Sequence, residues 1–203
     1  NISDKNNFSV KDILKKGGVA DAMEKFKSDG RIKSIGITAL GDIDAINEVV
    51  LSDCFDVAQI YYNLLNPSAS FSSPGKWNDH NFSNLIKNCK SKDMGLMNIR
   101  IYAAGYLATD KRHGREIPIT FGIDETELNK RVEKINLIMR DIQGTKAQKA
   151  LRYGLSNDDM STIVIGLAEI SHLEEALEGY ELGSLDEEIL RKIEELQMNN
   201  FIN

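Results

Sequence analysis

Short apolar segments alternate with longer amphipathic segments along most of the chain. Four short segments are rich in β-branched and aromatic residues, as buried strands are: 32–38, 55–61, 96–102 and 161–166. The longer segments place apolar residues at helical spacing: 18–29, 42–52, 78–93, 124–142, 146–156, 170–180 and 184–197. Strands that alternate with helices in this way predict βαβ crossovers and a parallel sheet that is covered on both faces.

Two architectures fit this alternation: an open doubly wound sheet and part of a (β/α)8 barrel. No strand is followed by G-x-G-x-x-G, and the chain contains no G-x-x-x-x-G-K-S/T, so the phosphate-binding signatures of open nucleotide-binding sheets are missing. A barrel has eight strands and about 250 residues, whereas four strand-like segments occur in these 203 residues. We therefore expect about half of a barrel, in accord with a chain that begins at Asn1 in a loop rather than at a methionine.

Composition and charge narrow the classes of function. The net charge is −6 and no basic stripe occurs, which argues against a nucleic-acid partner. No apolar run approaches the roughly 20 residues of a membrane span, and no secretory leader is visible. Cys54 and Cys89 form neither a disulfide framework nor a zinc-ligand pattern. We expect two reduced thiols, a cytoplasmic location, no membrane association and no metal.

Three segments resemble motifs of the aldo-keto reductase family, and they occur in the family's order. "KSDGRIKSIGITAL" is similar to a helix that ends in G-K-I-R and a strand that ends in G-V-S-N. "VAQIYYNLLN" is similar to Q-x-x-Y-N-L-L, and "STIVIGLAEISHLEEAL" to V-I-P-G-x-x-x-x-x-x-L-E-E-N-L. The segment "IRIYAAGYL" resembles the branch of threo-aldose and galactose dehydrogenases.

The resemblance implies a TIM (β/α)8 barrel of which this chain supplies the last four β/α units and a C-terminal helix. Residues 1–203 would then be the C-terminal part of a single barrel domain whose N-terminal half is absent. The family transfers hydride between NAD or NADP and a carbonyl or alcohol, here a sugar-like or small substrate. Its catalytic Asp, Tyr, Lys and His lie on the first four strands. We therefore assign no catalytic residue to this chain and expect it to be inactive alone.

Two alternatives stay open beside this enzyme. A non-catalytic, NAD(P)-binding regulatory protein can be built on the same barrel scaffold. A half-barrel can also complete itself as a homodimer, so the oligomeric state is undetermined.

The family pattern also implies contacts to the nicotinamide. Gln59 matches the glutamine that binds the carboxamide, since an amide donates and accepts at once; the alternative is a buried hydrogen bond within the barrel. Thr38 replaces the family's serine and keeps its hydroxyl, whereas Ala39 replaces the neighbouring asparagine. Tyr62 we interpret as a packing residue at the barrel rim, with its hydroxyl towards water.

Further positions are implied near the ring and the diphosphate. Ile99 falls where an aromatic usually covers the nicotinamide ring, and Arg100 falls near the pyrophosphate. On an apolar strand Arg100 needs an anion to offset its burial. The basic loop after it carries Lys111, Arg112, His113 and Arg115, which either close over the cofactor phosphates or are solvated.

The last implied contacts surround the start of the helix after the fourth strand. Gly166 and Leu167 lead into this helix, whose N-terminus favours a phosphate. His172 occupies the position of an arginine that pairs with the 2′-phosphate of NADP, and its alternative is an exposed helix residue. Glu175 matches an acid near the adenine. NAD and NADP both remain open as cofactors.

Overall fold

The computed structural model describes residues 8–71, 77–111 and 123–202. Within these ranges a four-stranded parallel sheet has its strands in chain order. The strands are β1 (Gly36–Thr38), β2 (Val57–Tyr61), β3 (Gly95–Ile99) and β4 (Thr162–Ile163). The α-helices are α1 (Val10–Leu14), α2 (Val19–Ser28), α3 (Ile43–Leu51), α4 (Leu85–Ser91), α5 (Glu125–Ile138), α6 (Lys146–Leu155), α7 (Ile170–Glu181) and α8 (Glu187–Met198). The predicted βαβ alternation and parallel sheet are confirmed.

Several helices begin at side chains that satisfy their first backbone N–H groups. Asp42 accepts a hydrogen bond from the Ala45 N–H at the start of α3, and Asp124 caps α5 in the same manner. Thr145 and Gln148 form a reciprocal capping box at the start of α6. These local interactions explain why the predicted starts of α3, α5 and α6 agree with the structure.

The predicted helix over 78–93 is wrong in its first half, since α4 spans only Leu85–Ser91. The carbonyl oxygen of His80 accepts hydrogen bonds from Asn66 Nδ2 at 2.8 Å and from Trp77 Nε1 at 3.2 Å. Asn84 then takes a left-handed conformation with φ 64°. Tertiary hydrogen bonds therefore hold this segment as a loop against the end of β2.

The two faces of the sheet differ in burial. Side chains alternate between the faces along each strand, and on one face Ala58, Ile60 and Leu96 are at most 1% exposed. The opposite face, which we call the open face, presents one row in register: Thr38, Gln59, Met97 and Thr162. These residues are half-buried or exposed. The expectation of a sheet covered on both faces is therefore not met within the described residues.

The C-terminal tail is fixed by a buried arginine, Arg131 of α5, whose side chain is fully buried. Its Nη2 donates to Asn78 Oδ1 at 2.6 Å, and its Nη1 lies 3.6 Å from Asp79 Oδ2. The guanidinium also lies over the Phe201 ring, 4.6 Å from the centroid. Lys134 adds a hydrogen bond of 2.5 Å to the Phe201 carbonyl oxygen. This Arg131 cluster joins α5, the loop after β2 and the end of the chain.

Candidate functional site

A hydrogen-bonded pair lies on the open face where β1 ends. Thr38 Oγ1 donates to Gln59 Oε1 at 2.8 Å, and the two residues are neighbours in the parallel register. Because the Gln59 oxygen accepts from Thr38, its Nε2 is the atom left to donate. Within the described ranges this Nε2 has no hydrogen-bond partner. The pair therefore presents an oriented amide donor on a face that helices do not cover.

The chain turns sharply after Thr38. The Ala39 N–H donates to the Gln59 carbonyl oxygen at 2.9 Å, and the Leu40 N–H donates to the Thr38 carbonyl oxygen at 2.8 Å. Ala39 is fully buried, so its side chain joins the core rather than the open face. The asparagine that the family pattern places at this position therefore has no polar counterpart here.

The end of β3 contributes an apolar side chain and a cation. Ile99 pairs in register with Tyr61 and lies on the same face as Gln59, one pleat nearer the carboxyl end. Arg100 follows β3 directly and is exposed, with φ 60°. The expectation of a buried cation on an apolar strand is wrong, because the strand ends before Arg100 and the guanidinium keeps its hydration.

The backbone beyond β3 adopts an uncommon conformation. Arg100, Ala103 and Ala104 all have positive φ, at 60°, 46° and 56°, although left-handed angles are uncommon for residues other than glycine. The Arg100 carbonyl oxygen accepts a hydrogen bond from Asn63 Nδ2 at 3.0 Å, which helps to hold this turn. Strained backbone of this kind concentrates at ligand sites.

The segment between β4 and α7 is exposed. A side chain at Gly166 would meet no heavy atom within 4 Å of its Cβ, so packing does not require glycine there. Leu167 is 45% exposed. His172 Nδ1 accepts a hydrogen bond from the Ala168 N–H at 3.3 Å. The His172 ring therefore closes the turn at the start of α7.

Tyr102, in the turn after β3, is a residue that the sequence did not single out. Burial raises the pKa of the Tyr102 hydroxyl, and the negative charge of Glu175 on α7 raises it further. The Glu175 charge is thus near enough to act on the Tyr102 hydroxyl. The sequence feature that could have identified Tyr102 is an aromatic residue shortly after the end of β3.

Tyr62 takes the packing role that its sequence context predicts, but not at a wet rim. Its ring stacks on Tyr153 of α6 with centroids 5.3 Å apart, and it is 7% exposed. Burial raises the pKa of both phenols. Tyr62 therefore belongs to the core between β2, α6 and α8.

The sequence-derived residues fall into two groups. Thr38, Gln59 and Ile99 share the open face of adjacent strands, whereas a second set follows the carboxyl ends of β3 and β4. This second set comprises Arg100, Gly166, Leu167, His172 and Glu175. Lys111 is exposed, and Arg112, His113 and Arg115 lie outside the described residues. In the part of the chain that the structure describes, no three metal-binding side chains form a cluster, and no helix has the length and apolar character to cross a bilayer.

The four parallel strands follow one another in chain order, and polar groups lie at their carboxyl ends. This arrangement is typical of α/β proteins that bind ligands at the carboxyl edge of the sheet. Residues 12–198 match the model of the Aldo/keto reductase family, and the chain belongs to this family. The family predicted from the three motifs is thus confirmed.

Individual relatives agree with this assignment. The chain is 27% identical over 177 residues to the L-galactose dehydrogenase of Arabidopsis thaliana, which covers 85% of this chain and 50% of that protein. Among solved structures, an aldo-keto reductase from Bacillus halodurans in its holo form superposes with a TM-score of 0.62 at 18% identity, over 89% of this chain and 55% of that one. Its apo form gives 0.61 at 20% identity, over 87% and 55%. The chain thus spans about half the length of the relatives that it matches.

Proposed function

We propose that residues 1–203 form the C-terminal part of one aldo-keto reductase barrel and supply most of its nicotinamide nucleotide site. The complete protein then transfers hydride between NAD or NADP and a sugar-like or small carbonyl substrate. The observation that carries this proposal is the Thr38–Gln59 pair, with Thr38 holding Gln59 Oε1 at 2.8 Å on the open face.

The chemistry of this pair suits a carboxamide. Gln59 Nε2 donates to the carboxamide oxygen, while the hydrogen bond from the Thr38 hydroxyl to Gln59 Oε1 holds the side chain in place. Ile99 lies on the same face and is 9% exposed, and the accessible part of its side chain contacts one face of the nicotinamide ring in this proposal. Binding through a fixed donor and an apolar wall orients the ring, which is the protein's main task when a cofactor carries the hydride.

The outer residues suit the charged part of the nucleotide. Arg100 is an exposed cation after β3, and α7 begins after Gly166 and Leu167 with free N–H groups that favour a phosphate. His172 binds the Ala168 N–H through Nδ1. An imidazole at this position lacks the fixed charge and the bidentate donors of an arginine for a 2′-phosphate, so the site suits NAD as well as NADP. Glu175 lies at the adenine end in this arrangement.

A chain that holds the nucleotide but lacks the proton-transfer residues is expected to bind without turnover. Hydride transfer then requires the remaining part of the barrel. This division of labour fits a candidate site whose described residues supply an amide donor, an apolar wall and a cation.

The test is a calorimetric titration of the whole encoded polypeptide with NADH and, separately, NADPH. Gln59→Leu removes the amide donor and should weaken binding of the preferred nucleotide by about tenfold or more. Gln143→Leu is the matched control, because Gln143 is an exposed glutamine between α5 and α6, and its affinity should not change.

Equal affinities for wild type and Gln59→Leu would refute the assigned role of Gln59. Turnover of a carbonyl substrate by residues 1–203 alone would refute the division of labour. Nucleotide binding without turnover by the whole polypeptide, across a panel of sugars and small aldehydes, would instead favour the regulatory alternative.

A further inference from the structure

The turn between β1 and α3 begins directly after Thr38 and contains a glycine in an uncommon conformation. Gly41 has φ 127°, an angle that residues with a Cβ rarely adopt. Because glycine has the greatest backbone freedom of all residues, a contact from outside the turn restrains it most effectively. Half-buried His80, in the loop between β2 and α4, makes such a contact: its Nε2 lies 3.1 Å from the Gly41 carbonyl oxygen.

The chemistry of this contact fixes the position of one proton. A carbonyl oxygen accepts hydrogen bonds and has no proton to donate. The His80 ring therefore carries a proton on Nε2 and donates it to the Gly41 oxygen. Both the neutral ring with its proton on Nε2 and the charged ring provide this donor.

The His80 ring is also connected to the strand that carries Gln59. It packs on Phe82, with ring centroids 4.4 Å apart, and Phe82 packs on Tyr61, with centroids 5.5 Å apart. Tyr61 ends β2 two residues after Gln59, on the same face of the strand. His80 therefore contacts the turn after β1 and, through one further ring, the end of β2.

The backbone of His80 is itself held from both sides. Its carbonyl oxygen accepts the hydrogen bonds from Asn66 and Trp77 described above. Its N–H donates to Asp79 Oδ1 at 2.6 Å, and Asp79, whose side chain is 3% exposed, belongs to the Arg131 cluster. A ring on so restricted a backbone has few alternative positions, so its hydrogen bond restrains the turn after β1.

We propose that His80 is a positioning residue of the nucleotide site, which holds the turn after β1 so that the Thr38 hydroxyl and the Gln59 amide keep the geometry that a nicotinamide carboxamide requires. This inference rests on the proposed function. His80 acts through the three residues of backbone between Thr38 and Gly41, and the 2.8 Å hydrogen bond from Thr38 to Gln59 is the geometry that it preserves. Loss of the restraint should therefore affect the nicotinamide end of the nucleotide and spare its ADP part.

The test is a calorimetric titration of the whole encoded polypeptide with NADH and with ADP-ribose, which lacks the nicotinamide. His80→Phe keeps an aromatic ring beside Phe82 and removes the Nε2 donor, whereas His80→Gln removes the ring and keeps an N–H donor of similar reach. His80→Phe should bind NADH about fivefold more weakly than the wild type and ADP-ribose within about twofold of it. His80→Gln should bind NADH within about twofold of the wild type. A protein that prefers NADPH is titrated with NADPH and 2′-phospho-ADP-ribose instead.

Two further variants make the comparison independent of folding. His80→Leu also lacks the donor, so it should behave like His80→Phe and replaces it if the larger ring prevents folding, which circular dichroism detects. Ser70→Ala is the matched control, because Ser70 Oγ donates to the Pro67 carbonyl oxygen at 2.8 Å in the same loop and does not bind the turn after β1. Its affinities for both ligands should stay within about twofold of the wild type.

Three results would overturn this role of His80. The first is a wild-type affinity for NADH in the variants without a donor. The second is an equal loss for NADH and ADP-ribose, which a general disturbance of the fold produces. The third is a loss in His80→Gln as large as in His80→Phe, since a retained donor would then not suffice.

Gln59→Leu, titrated beside these variants, keeps the two ideas apart. If Gln59→Leu loses affinity for NADH alone and His80→Phe does not, the role of His80 is refuted and the proposed function stands. If Gln59→Leu binds NADH like the wild type, the proposed function itself is refuted, and the role of His80 in it falls with it.

Discussion

Replacing Arg131 by methionine removes the cation that lies between the carboxylates of Asp79 and Glu127 while keeping an unbranched apolar stem. The Arg131 side chain is fully buried and the Asp79 side chain is 3% exposed, so neither charge is hydrated. Arg131→Met leaves the Asp79 carboxylate without this cation and Asn78 Oδ1 without its 2.6 Å donor. Truncation of one partner of a buried ion pair costs about 3–5 kcal/mol.

The size of this loss in stability distinguishes two explanations of the cluster: the buried ion pair with Asp79 and the contact with the Phe201 ring. If the contacts to the Phe201 ring alone mattered, the loss would be about 0.5–2 kcal/mol, the usual strength of a cation–π interaction. We expect the larger loss, because the carboxylate cannot regain water. In the native protein, Asp79 Oδ1 accepts a hydrogen bond from the His80 backbone N–H at 2.6 Å. Asp79→Asn keeps an oxygen for this hydrogen bond and removes the negative charge. In the Arg131→Met background it should therefore recover about 1–3 kcal/mol of the lost stability.

The assay is urea unfolding followed by circular dichroism near neutral pH. Arg140→Met is the matched control, since Arg140 is exposed just beyond α5, and its effect should stay within about 0.5 kcal/mol. A loss for Arg131→Met as small as that of the control would refute this reasoning. So would a double variant that is no more stable than Arg131→Met.

Three further predictions concern a carboxylate, a glycine and a thiol. The hydrogen bond from Lys27 holds the pKa of Asp56 below its ordinary value of 3.8, so the carboxylate stabilises the fold fully above that pH and progressively less below it. Asp56→Asn should therefore lower stability at neutral pH by an amount that shrinks as the pH falls below 3.8, and pH-dependent urea unfolding measures this difference. Gly36→Ala places a Cβ 2.6 Å from the Val57 carbonyl oxygen, so it should cost about 1–3 kcal/mol in the same assay, and an unchanged midpoint would contradict this. Burial raises the pKa of the Cys89 thiol to about 12, so Ellman's reagent should titrate one thiol per native chain and two in denaturant; two fast thiols in the native chain would contradict it.

The strand positions were predictable because burial imposes a period of two. In β2, Ala58 and Ile60 are fully buried while Gln59 between them is half-buried. A polar residue between two apolar residues of a strand is therefore predicted, from the sequence alone, to lie on the opposite face of the sheet. The same alternation places Ile99 on that face in β3.

Positions outside the regular elements were less predictable, because distant groups determine them. The strand expected to continue through Arg100 ends at Ile99, where Asn63 binds the Arg100 carbonyl oxygen. The helix expected from residue 78 is delayed by hydrogen bonds that Asn66 makes to the His80 carbonyl oxygen. Hydrogen bonds between residues far apart in the chain leave no periodic signal in it.

The central claim is that the Gln59 amide binds the nicotinamide carboxamide. The most direct measurement follows the side-chain amide resonances of 15N-labelled protein, with Gln59 assigned by its absence in Gln59→Leu, during titration with NADH or NADPH. The Gln59 signal should shift and saturate with the nucleotide, and it should stay unshifted with ADP-ribose, which lacks the nicotinamide. A Gln59 resonance that does not move when calorimetry shows the nucleotide fully bound would contradict the claim.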